Sequence, residues 1–505
     1  MLTVKSDDIT NLLEGLSPAI EAIIDPNIKL IINQLMVVIK ALRQENEELR
    51  EENVFLRQEN EGLKEKLKTN SKNSSAPPSS DGFRKEKRTK QKKGKSKRKQ
   101  GGQPGRTGVG RTLFSAEEVD VCEVVKPSKE CSCGGLVIPT SNYQRHQVHE
   151  LPKIKPIVTE YQLYSGRCCA CNKKHYASLP AGVPEGMLGP LAMAKIGALT
   201  GDFRMSKRNV TFLFDDFYDL RISVGTVSNV EQIVSAALEK SVEEAKAFIP
   251  EQGVVHADET SHAEQGNKMW TWAFIAGLAA VFIIRPSRGA QVAKDFLGEA
   301  FQGILNTDRW SGYAWLAAIF RQLCWAHLIR DFCKISERKG PSRKIGRELL
   351  KLTKKMFRYW HRVRDGTLKR EKFQTLMQPL RKQVEALLEE GAQCSHSKTS
   401  GTCKQLLKVK QALWTFVDKE GVEPTNNLAE QILRRIVIWR KTSFGTQSSA
   451  GTLYLERIMT VVSTCKMQKR NVLDFVSEAI QAHLSKTKSP SLLPLPLQVA
   501  LPLAA

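Results

Sequence analysis

Residues 254–260 read Val-Val-His-Ala-Asp-Glu-Thr, and the interpretation of the whole chain starts from this stretch. Two β-branched apolar residues lead into it, which predicts a short buried strand that ends where a turn begins. Strand alternation puts Asp258 on the same face as His256 and Thr260, with Glu259 on the opposite face. A carboxylate in such a place is costly unless it holds a metal or another cation. An Asp that caps a turn is the alternative, and for this stretch alone it is at least as good an interpretation.

The composition indicates a partner that carries negative charge. The chain has 505 residues, enough for about three domains, and a hydrophobic share of 41% allows a real core. Lys and Arg number 77 against 53 Asp and Glu, which leaves a net charge of +24 and a pI near 9.6. Such an excess favours nucleic acid as partner, ahead of an anionic membrane surface.

The expected location is the cytoplasm, in association with the nucleoid. The longest apolar run, residues 273–284, has 12 residues and is too short to span a bilayer. The first residues, MLTVKSDD, lack the order of a signal peptide. The eleven cysteines are therefore interpreted as thiols and metal ligands in a reducing compartment. No membrane partner is expected.

Residues 1–70 are predicted to contain an N-terminal helix and a leucine-zipper coiled coil. Apolar residues recur every seventh position, at Ile28, Leu35, Leu42, Leu49, Leu56 and Leu63. Asn46, Asn53 and Asn60 occupy the other core position, which favours a parallel, in-register homodimer. Glutamates at 45, 52 and 59 would face basic residues at 50, 57 and 64 of the partner helix. A lone solvated amphipathic helix is the less favoured alternative.

Residues 71–111 are predicted to be a disordered basic linker. Between Arg84 and Arg111 there are thirteen Lys or Arg and one acidic residue, Glu86. A run of this kind cannot form a core, and it would bind phosphates with salt-sensitive affinity that does not depend on nucleotide sequence.

Residues 112–180 hold six of the eleven cysteines and are predicted to form a small zinc-stabilised module. Cys168 and Cys171 have the two-residue gap that lets both thiolates reach one tetrahedral zinc. Cys131 and Cys133 are the candidate second pair, although one intervening residue makes this pair less certain, and Cys122 could replace one of them. Incidental clustering of thiols is the alternative.

Residues 181–250 have a helical pattern. Between Ser206 and Ser228 it resembles a helix-turn-helix, with Gly225 at the turn and Thr226 as the cap of the second helix. A DNA-reading helix is one interpretation, and a helical pair that only packs is the commoner one.

Residues 251–460 are predicted to be an α/β catalytic domain. Three antiparallel strands, a helix and a further strand that ends at Asp308 follow one another, which is the order of a ribonuclease H-like sheet. Strands one and four are neighbours in that sheet, so Asp258 and Asp308 would meet. Residues 335–420 are interpreted as a basic helical insertion, and Thr425 or Asn426 as the cap of a helix that carries Glu430. Residues 461–505 are predicted to hold a C-terminal helix and a low-complexity tail.

These segments together resemble a transposase of the insertion-sequence 66 family, a bacterial DDE transposase. The resemblance rests on several motifs in order: the zipper, KNSSAPPSSD, GGQPGRTG, the cysteine segment, VHADET, TDRWSGY, CWAHLIRDF and NNLAEQILRRIVIWRK. It covers nearly the whole chain, with two departures. Arg106 stands where the family usually has His, and the first cysteine pair is CxC where CxxC is common. The resemblance implies a multidomain α+β fold with a ribonuclease H-like core and catalytic Asp258, Asp308 and Glu430. It also implies that the cysteine segment, residues 112–180, is a zinc-binding, DNA-binding domain.

The implied chemistry uses two divalent ions, Mg²⁺ or Mn²⁺, roughly 3.5–4 Å apart. Mg²⁺ prefers oxygen ligands, so Asp258 would bridge the ions while Asp308 and Glu430 each hold one. Structural Zn²⁺ would bind Cys131, Cys133, Cys168 and Cys171. Four basic residues that follow the Glu are candidate DNA phosphate contacts, with a solvated helix face as the alternative: Arg434, Arg435, Arg440 and Lys441.

Four further residues near these motifs have open roles. Glu259 is expected to be a turn or salt-bridge residue, because it lies on the strand face opposite Asp258. His256 is expected to pack or to support the site. Cys324 and His327, in CWAH, resemble a Cys-x-x-His signature of several DDE transposases, and a packed strand–helix junction is an equally good interpretation.

The sequence thus favours metal-dependent cleavage at insertion-sequence ends followed by strand transfer into target DNA. The expected partners are element ends, target DNA, a second copy of the chain and accessory proteins of the same element. A metal-dependent nuclease without joining activity, and a non-catalytic zinc-containing DNA-binding regulator or inactive relic, are the alternatives.

Overall fold

The computed structural model describes residues 25–68 and 113–493, together with residues 15 and 18; for residues 57–68 it describes the backbone alone. The predicted basic linker and the end of the C-terminal tail lie outside these residues. The chain divides into two compact units, one containing residues 25–68 with 329–350 and the other the remainder. No helix in the described ranges is long and apolar enough to cross a membrane.

The heptad segment forms one continuous helix, α1 (Pro26–Lys68). Its apolar heptad positions remain uncovered, since Leu35, Leu42 and Leu49 are each about half exposed. Asn46 and Asn53 donate their side-chain N–H groups to carbonyl oxygens of the preceding turn of the same helix. A straight helix with an unburied apolar seam fits a coiled coil.

The cysteine segment has little regular structure. One small antiparallel hairpin, β1 (Ser165–Arg167) with β2 (Lys174–Tyr176), has Cys168–Cys171 in its turn. A single bridge between Glu130 and Leu136 encloses the other cysteine pair.

Three helices follow: α2 (Pro190–Gly201), α3 (Lys207–Tyr218) and α4 (Val224–Phe248). The predicted helix, turn and helix correspond to α3 and α4. The expected positions of Gly225 and Thr226 were wrong, because both lie inside the first turn of α4. Ser223 is the cap instead, and its hydroxyl accepts the backbone N–H of Thr226.

A mixed five-stranded sheet forms the centre of the second unit. Its strands are β3 (Val254–Glu264), β4 (Asn267–Ala276), β5 (Ala279–Arg285), β6 (Ile304–Thr307) and β7 (Arg321–Leu323), with helix α5 (Ala290–Leu297) between β5 and β6. The order across the sheet is β5-β4-β3-β6-β7. β4 runs antiparallel to both β3 and β5, while β6 runs parallel to β3 and β7 runs parallel to β6.

The strand that carries Asp258 is longer than predicted. It was expected to end in a turn near residue 260, but it continues to Glu264 and pairs with β4 along its whole second half. Gln265 and Gly266, both with positive φ, form the two-residue turn of this hairpin. Residues 261–264 lack an apolar alternation, so only pairing with the neighbouring strand reveals them as sheet.

The predicted insertion consists of helices joined by short loops. It contains the last residues of α6 (Trp325–Glu337), then α7 (Pro341–Arg364), α8 (Arg370–Ala392), α9 (Ser397–Lys408) and the single turn α10 (Thr415–Asp418). In the part of the insertion that follows residue 350, four aromatic rings pack together: those of Trp360, Phe373, Trp414 and Phe416.

The chain then completes the sheet domain with α11 (Asn427–Ser443), α12 (Ser449–Met467) and α13 (Val472–Leu484). The predicted domain boundary at residue 460 falls inside α12. This helix covers the outer edge of the sheet: Thr464, Thr460 and Glu456 accept the backbone N–H groups of Ala280, Phe282 and Ile284. Four residues of helix and two of strand rise by similar distances, about 6 and 6.8 Å, so each helical turn meets one free N–H of the edge strand β5.

Candidate active site

The sheet register places Asp258 and Asp308 side by side. In the parallel pair β3–β6, His256 lies opposite Asn306. Asp258 and Asp308 are each two residues further along, and therefore stand at the same level of adjacent strands. The predicted meeting of the two strands is confirmed by this pairing. Asp308 also accepts the backbone N–H of Trp310 at 2.8 Å, which fixes the turn after β6.

The electrostatic setting of Asp258 reflects concentrated negative charge. Burial raises the pKa of Asp258 well above its usual value, and the charges of Glu259, Asp308 and Glu430 raise it further. The backbone N–H of Glu259, which donates to Asp258 at 2.9 Å, opposes this change. Asp258 retains some access to solvent, so a cation that reached it would lower this pKa.

Two asparagines hold the start of α11 against the sheet. Asn306, on β6, donates its side-chain N–H groups to the carbonyl oxygens of Glu423 and Thr425, at 2.8 and 3.1 Å. Asn426, just before α11, donates to the carbonyl oxygen of Ala257 at 2.8 Å, and its amide oxygen lies 3.0 Å from Nδ1 of His256. Asn426 is at the cap position, as predicted, but its side chain makes no capping bond within the helix.

This arrangement places Glu430 in the first turn of α11, near Asp258. Its carboxylate oxygen Oε1 lies 3.6 Å from Nδ1 of His327. Among the described residues, Cys324, His327 and Glu430 form the one group of at least three candidate metal ligands whose atoms all lie within 4.8 Å of one another. The three predicted carboxylates thus lie in one region of the structure. Glu430 itself lies beside Cys324 and His327 of the CWAH motif.

On the opposite face of β3, Glu259 is anchored beneath the site. Its Oε1 accepts two N–H groups of Arg288, at 2.6 and 2.9 Å, and its Oε2 accepts the hydroxyl of Tyr313 at 2.6 Å. The Arg288 guanidinium lies over the rings of Trp270 and Trp310. The expectation that Glu259 forms a salt bridge is confirmed. Arg288 and Tyr313 were not predicted as its partners, and strand alternation could have indicated only that a partner was needed.

The four candidate DNA-contacting residues of α11 differ in their surroundings. Arg434 and Lys441 are exposed and, one and three turns after Glu430, share its side of the helix. Arg435 lies 3.6 Å from Asp202. Arg440 donates to the hydroxyl and the carbonyl oxygen of Ser261 and so ties α11 to β3.

The four predicted zinc ligands are present as two separate pairs. Hydrogen bonds from Cys133 lower the pKa of the Cys131 thiol, and those from Cys171 and Ala170 lower that of Cys168. The described residues do not gather all four thiols into one group. Each pair is suited to bind a soft cation, and the joint site stays a prediction.

The three carboxylates, Asp258, Asp308 and Glu430, offer a ligand set suited to a hard divalent cation. Its donors are oxygens, which Mg²⁺ prefers. Burial raises the pKa of Asp258, and the charges of Glu259, Asp308 and Glu430 add to this rise, so a cation would relieve part of it. Glu430 would have to turn from His327 towards the two aspartates to join them.

Comparison with known proteins gives the class of the molecule. The sequence profile described as the Transposase IS66 family matches residues 203–453, which include the whole five-stranded sheet and the three carboxylates. The profile of a family of unknown function, DUF6444, matches residues 23–112. The protein is thus a transposase by class. More particularly, the chain belongs to the IS66 family, as its motifs indicated.

Two curated relatives come from Sinorhizobium fredii. The protein named "Uncharacterized protein y4qI" is 25% identical over 418 residues, which is 75% of each chain. The protein named "Uncharacterized protein y4hP" is 23% identical over 390 residues, or 68% of each chain.

Proposed function

We propose that this protein cleaves DNA at the ends of an insertion sequence and joins the freed ends to target DNA, with Asp258, Asp308 and Glu430 as its catalytic residues. The observation that carries the proposal is the register of β3 and β6. It sets two aspartates at the same level of neighbouring strands, and the charge of the helix-borne Glu430 acts on the first of them. Membership of a transposase family supports the same reaction.

The topology supports a ribonuclease H-like core. Three antiparallel strands are followed along the chain by two parallel ones. The first strand of the sheet, β3, is central in the order β5-β4-β3-β6-β7. The helical insertion lies between the strand β7 and the helix α11 that carries Glu430. An insertion at this point can extend over DNA without disturbing the sheet.

The chemistry follows from the donor set. Divalent cations such as Mg²⁺, when bound by the three carboxylates, would activate the attacking hydroxyl and stabilise the leaving oxygen. Asp258, whose pKa the charges of both Asp308 and Glu430 raise, would be the ligand that the ions share. Water attack on a phosphodiester would leave a 3′-hydroxyl at the element end. That hydroxyl would then attack a target phosphodiester and release a target 3′-hydroxyl, with no covalent bond to the protein.

Positive charge near the site would hold the DNA. Arg434 and Lys441 are exposed on the side of α11 that carries Glu430, about 6 and 16.5 Å further along the helix axis, so that DNA bound along this side would pass the carboxylates. The net charge of +24 supports the same partner. A zinc module at residues 112–180 and a homodimer through α1 complete the proposal, because two element ends must be paired before they are joined.

Strand transfer with the full chain tests this function. Labelled element-end DNA and a target plasmid are incubated with Mg²⁺, accessory proteins of the element, and either wild type or Asp258→Asn. Joined product from the wild type, and loss of both cleavage and joining by about 10³-fold or more in the variant, is the expected result. Asp216→Asn, an exposed change on α3, is the matched control and should retain activity.

Two other results would overturn the proposal. Cleaved ends without any joined product would favour a nuclease. DNA binding without cleavage, with accessory proteins present, would favour a regulator or an inactive relic.

A further inference from the structure

The thiol of Cys324 is buried where the end of β7 meets the start of α11. Cys324 directly follows β7 and is 1% exposed. Its Sγ accepts the backbone N–H of Asn426 at 3.1 Å. Burial raises the pKa of the Cys324 thiol to about 11, and the backbone N–H groups of Asn426, His327 and Ala326 partly oppose this change. A metal ion that coordinated the sulfur would deprotonate it.

Two further donor atoms converge on this thiol from different elements. His327 is one turn further along α6, and Glu430 approaches from α11. Nδ1 of His327 and Oε1 of Glu430 are buried, and among the described residues neither atom has a hydrogen-bond partner. Buried polar atoms are normally satisfied by protein, water or an ion. The two atoms lie 3.6 Å apart. A ring nitrogen of His327 and a carboxylate oxygen of Glu430 both lie within 4.8 Å of Sγ.

We propose that Cys324, His327 and Glu430 form a second cation site, which binds a single thiophilic divalent ion such as Zn²⁺. Sulfur, imidazole nitrogen and one carboxylate oxygen are a ligand set for Zn²⁺, which accepts three protein ligands and leaves a fourth position open. Mg²⁺ does not suit this set because it selects oxygen ligands. The site is separate from the four cysteines of residues 112–180.

The site has a regulatory consequence, because Glu430 belongs to both cation sites. A Zn²⁺ ion held by Cys324 and His327 keeps Glu430 away from Asp258 and Asp308, and so Zn²⁺ inhibits the Mg²⁺-dependent reaction. This consequence rests on the proposed function. The binding of the thiophilic ion does not, since it depends only on the three donors.

Cobalt(II) titration of the full chain tests the binding, because thiolate coordination of Co²⁺ gives an intense near-ultraviolet absorption. The wild type is compared with Cys324→Ser and His327→Gln. Cys465→Ser is the matched control, since Cys465 is a buried thiol of α12 away from the site. We expect both site variants to bind one equivalent less than wild type and control, or to bind it about 100-fold more weakly or worse, since even outer-shell losses cost 10–100-fold. The module cysteines contribute equally to all four proteins.

The same number of equivalents with unchanged spectra in His327→Gln would overturn the proposal, and the three groups would then only pack together. His327→Gln decides the matter even if Cys324→Ser fails to fold, because His327 is partly exposed. Added Zn²⁺ should reduce DNA cleavage by wild type but have less effect on His327→Gln relative to its own activity. Cobalt binding without any cleavage would leave the second site standing and reject the proposed function.

Discussion

At the scale of single residues, the chain places charge where it is costly. Burial and three neighbouring carboxylates raise the pKa of Asp258. Glu259, one residue on, is equally buried but has Arg288 and Tyr313 as partners. This difference in partners is consistent with a cation-binding role for Asp258 on one face of β3. On the other face, it is consistent with a structural role for Glu259.

Asp258→Asn should stabilise the protein in the absence of divalent ions. The raised pKa means that ionisation of Asp258 destabilises the fold as the pH rises above the usual value of 3.8. The variant should therefore melt at a higher temperature than wild type at pH 7–8, by roughly 2–4 °C for each kcal/mol removed, and the difference should vanish as the pH falls towards 4. Calorimetry in EDTA measures this. A variant that melts lower at pH 8 would contradict the raised pKa, and Asp216→Asn should show no change.

Arg288→Met should destabilise the fold by about 2–4 kcal/mol. It leaves the Glu259 carboxylate buried without its cation, and the cost falls below that of a fully buried pair because Arg288 is partly exposed. The double variant with Glu259→Gln should recover much of the loss, as measured by urea unfolding. Lys294→Met, which removes the longer and more exposed pair with Glu299, is the control and should cost under about 1 kcal/mol. Equal losses in the two single variants would contradict this account.

At the scale of secondary structure elements, the site depends on how α11 is joined to the sheet. The sequence predicted the strands, the neighbouring positions of Asp258 and Asp308, and a helix that begins near Asn426. It could not predict the partners of Asn426, because His256 and Ala257 are about 170 residues away in the chain. Pattern analysis measures local periodicity, and a side chain that links two elements leaves no periodic signal.

Asn426→Ala should loosen the first turn of α11. The change leaves the carbonyl oxygen of Ala257 and the ring of His256 without partners inside the protein, at a cost of about 2–3 kcal/mol. Hydrogen exchange of residues 427–431 should become faster, and DNA cleavage should fall. Asn427→Ala, an exposed change at the next position, is the control. Equal protection in the two variants would show that Asn426 does not hold the helix.

Arg434→Ala and Lys441→Ala should each weaken DNA binding and lower the salt dependence of the binding constant by about one unit of slope. Both side chains are exposed on the side of α11 that carries Glu430. Arg435→Ala should have a smaller effect, because that side chain is directed to Asp202. Fluorescence anisotropy across a salt series measures the slopes. Identical slopes in all three variants and wild type would remove α11 from the DNA interface.

At the scale of the whole molecule, segments that the sequence predicted to be separate domains share one hydrophobic core in the structure. The helices of residues 181–250 and the segment after residue 460 were predicted to lie outside the catalytic domain. Instead α4, α12 and α13 share one hydrophobic core with the sheet. The sequence could not reveal this, because the contacts between α12 and β5 join residues more than 170 positions apart.

The heptad of α1 predicts a dimer. Leu42→Glu with Leu49→Glu places charge in the seam and should convert the full chain to a monomer, as measured by light scattering at micromolar concentration. Gln44→Glu with Val54→Glu adds the same charge away from the seam and should leave the dimer intact. A wild type that is already monomeric under these conditions would contradict the prediction.

The central claim is that Asp258, Asp308 and Glu430 share a divalent metal site. Fe²⁺ in place of Mg²⁺, with ascorbate and peroxide, cuts a backbone close to the bound ion, and mass spectrometry locates the cuts. We predict cuts near residues 258, 308 and 430 that excess Mg²⁺ suppresses and that Asp258→Asn abolishes. Cuts confined to residues 324–327 and 430, or unaffected by Asp258→Asn, would show that the aspartates hold no metal and would contradict the account.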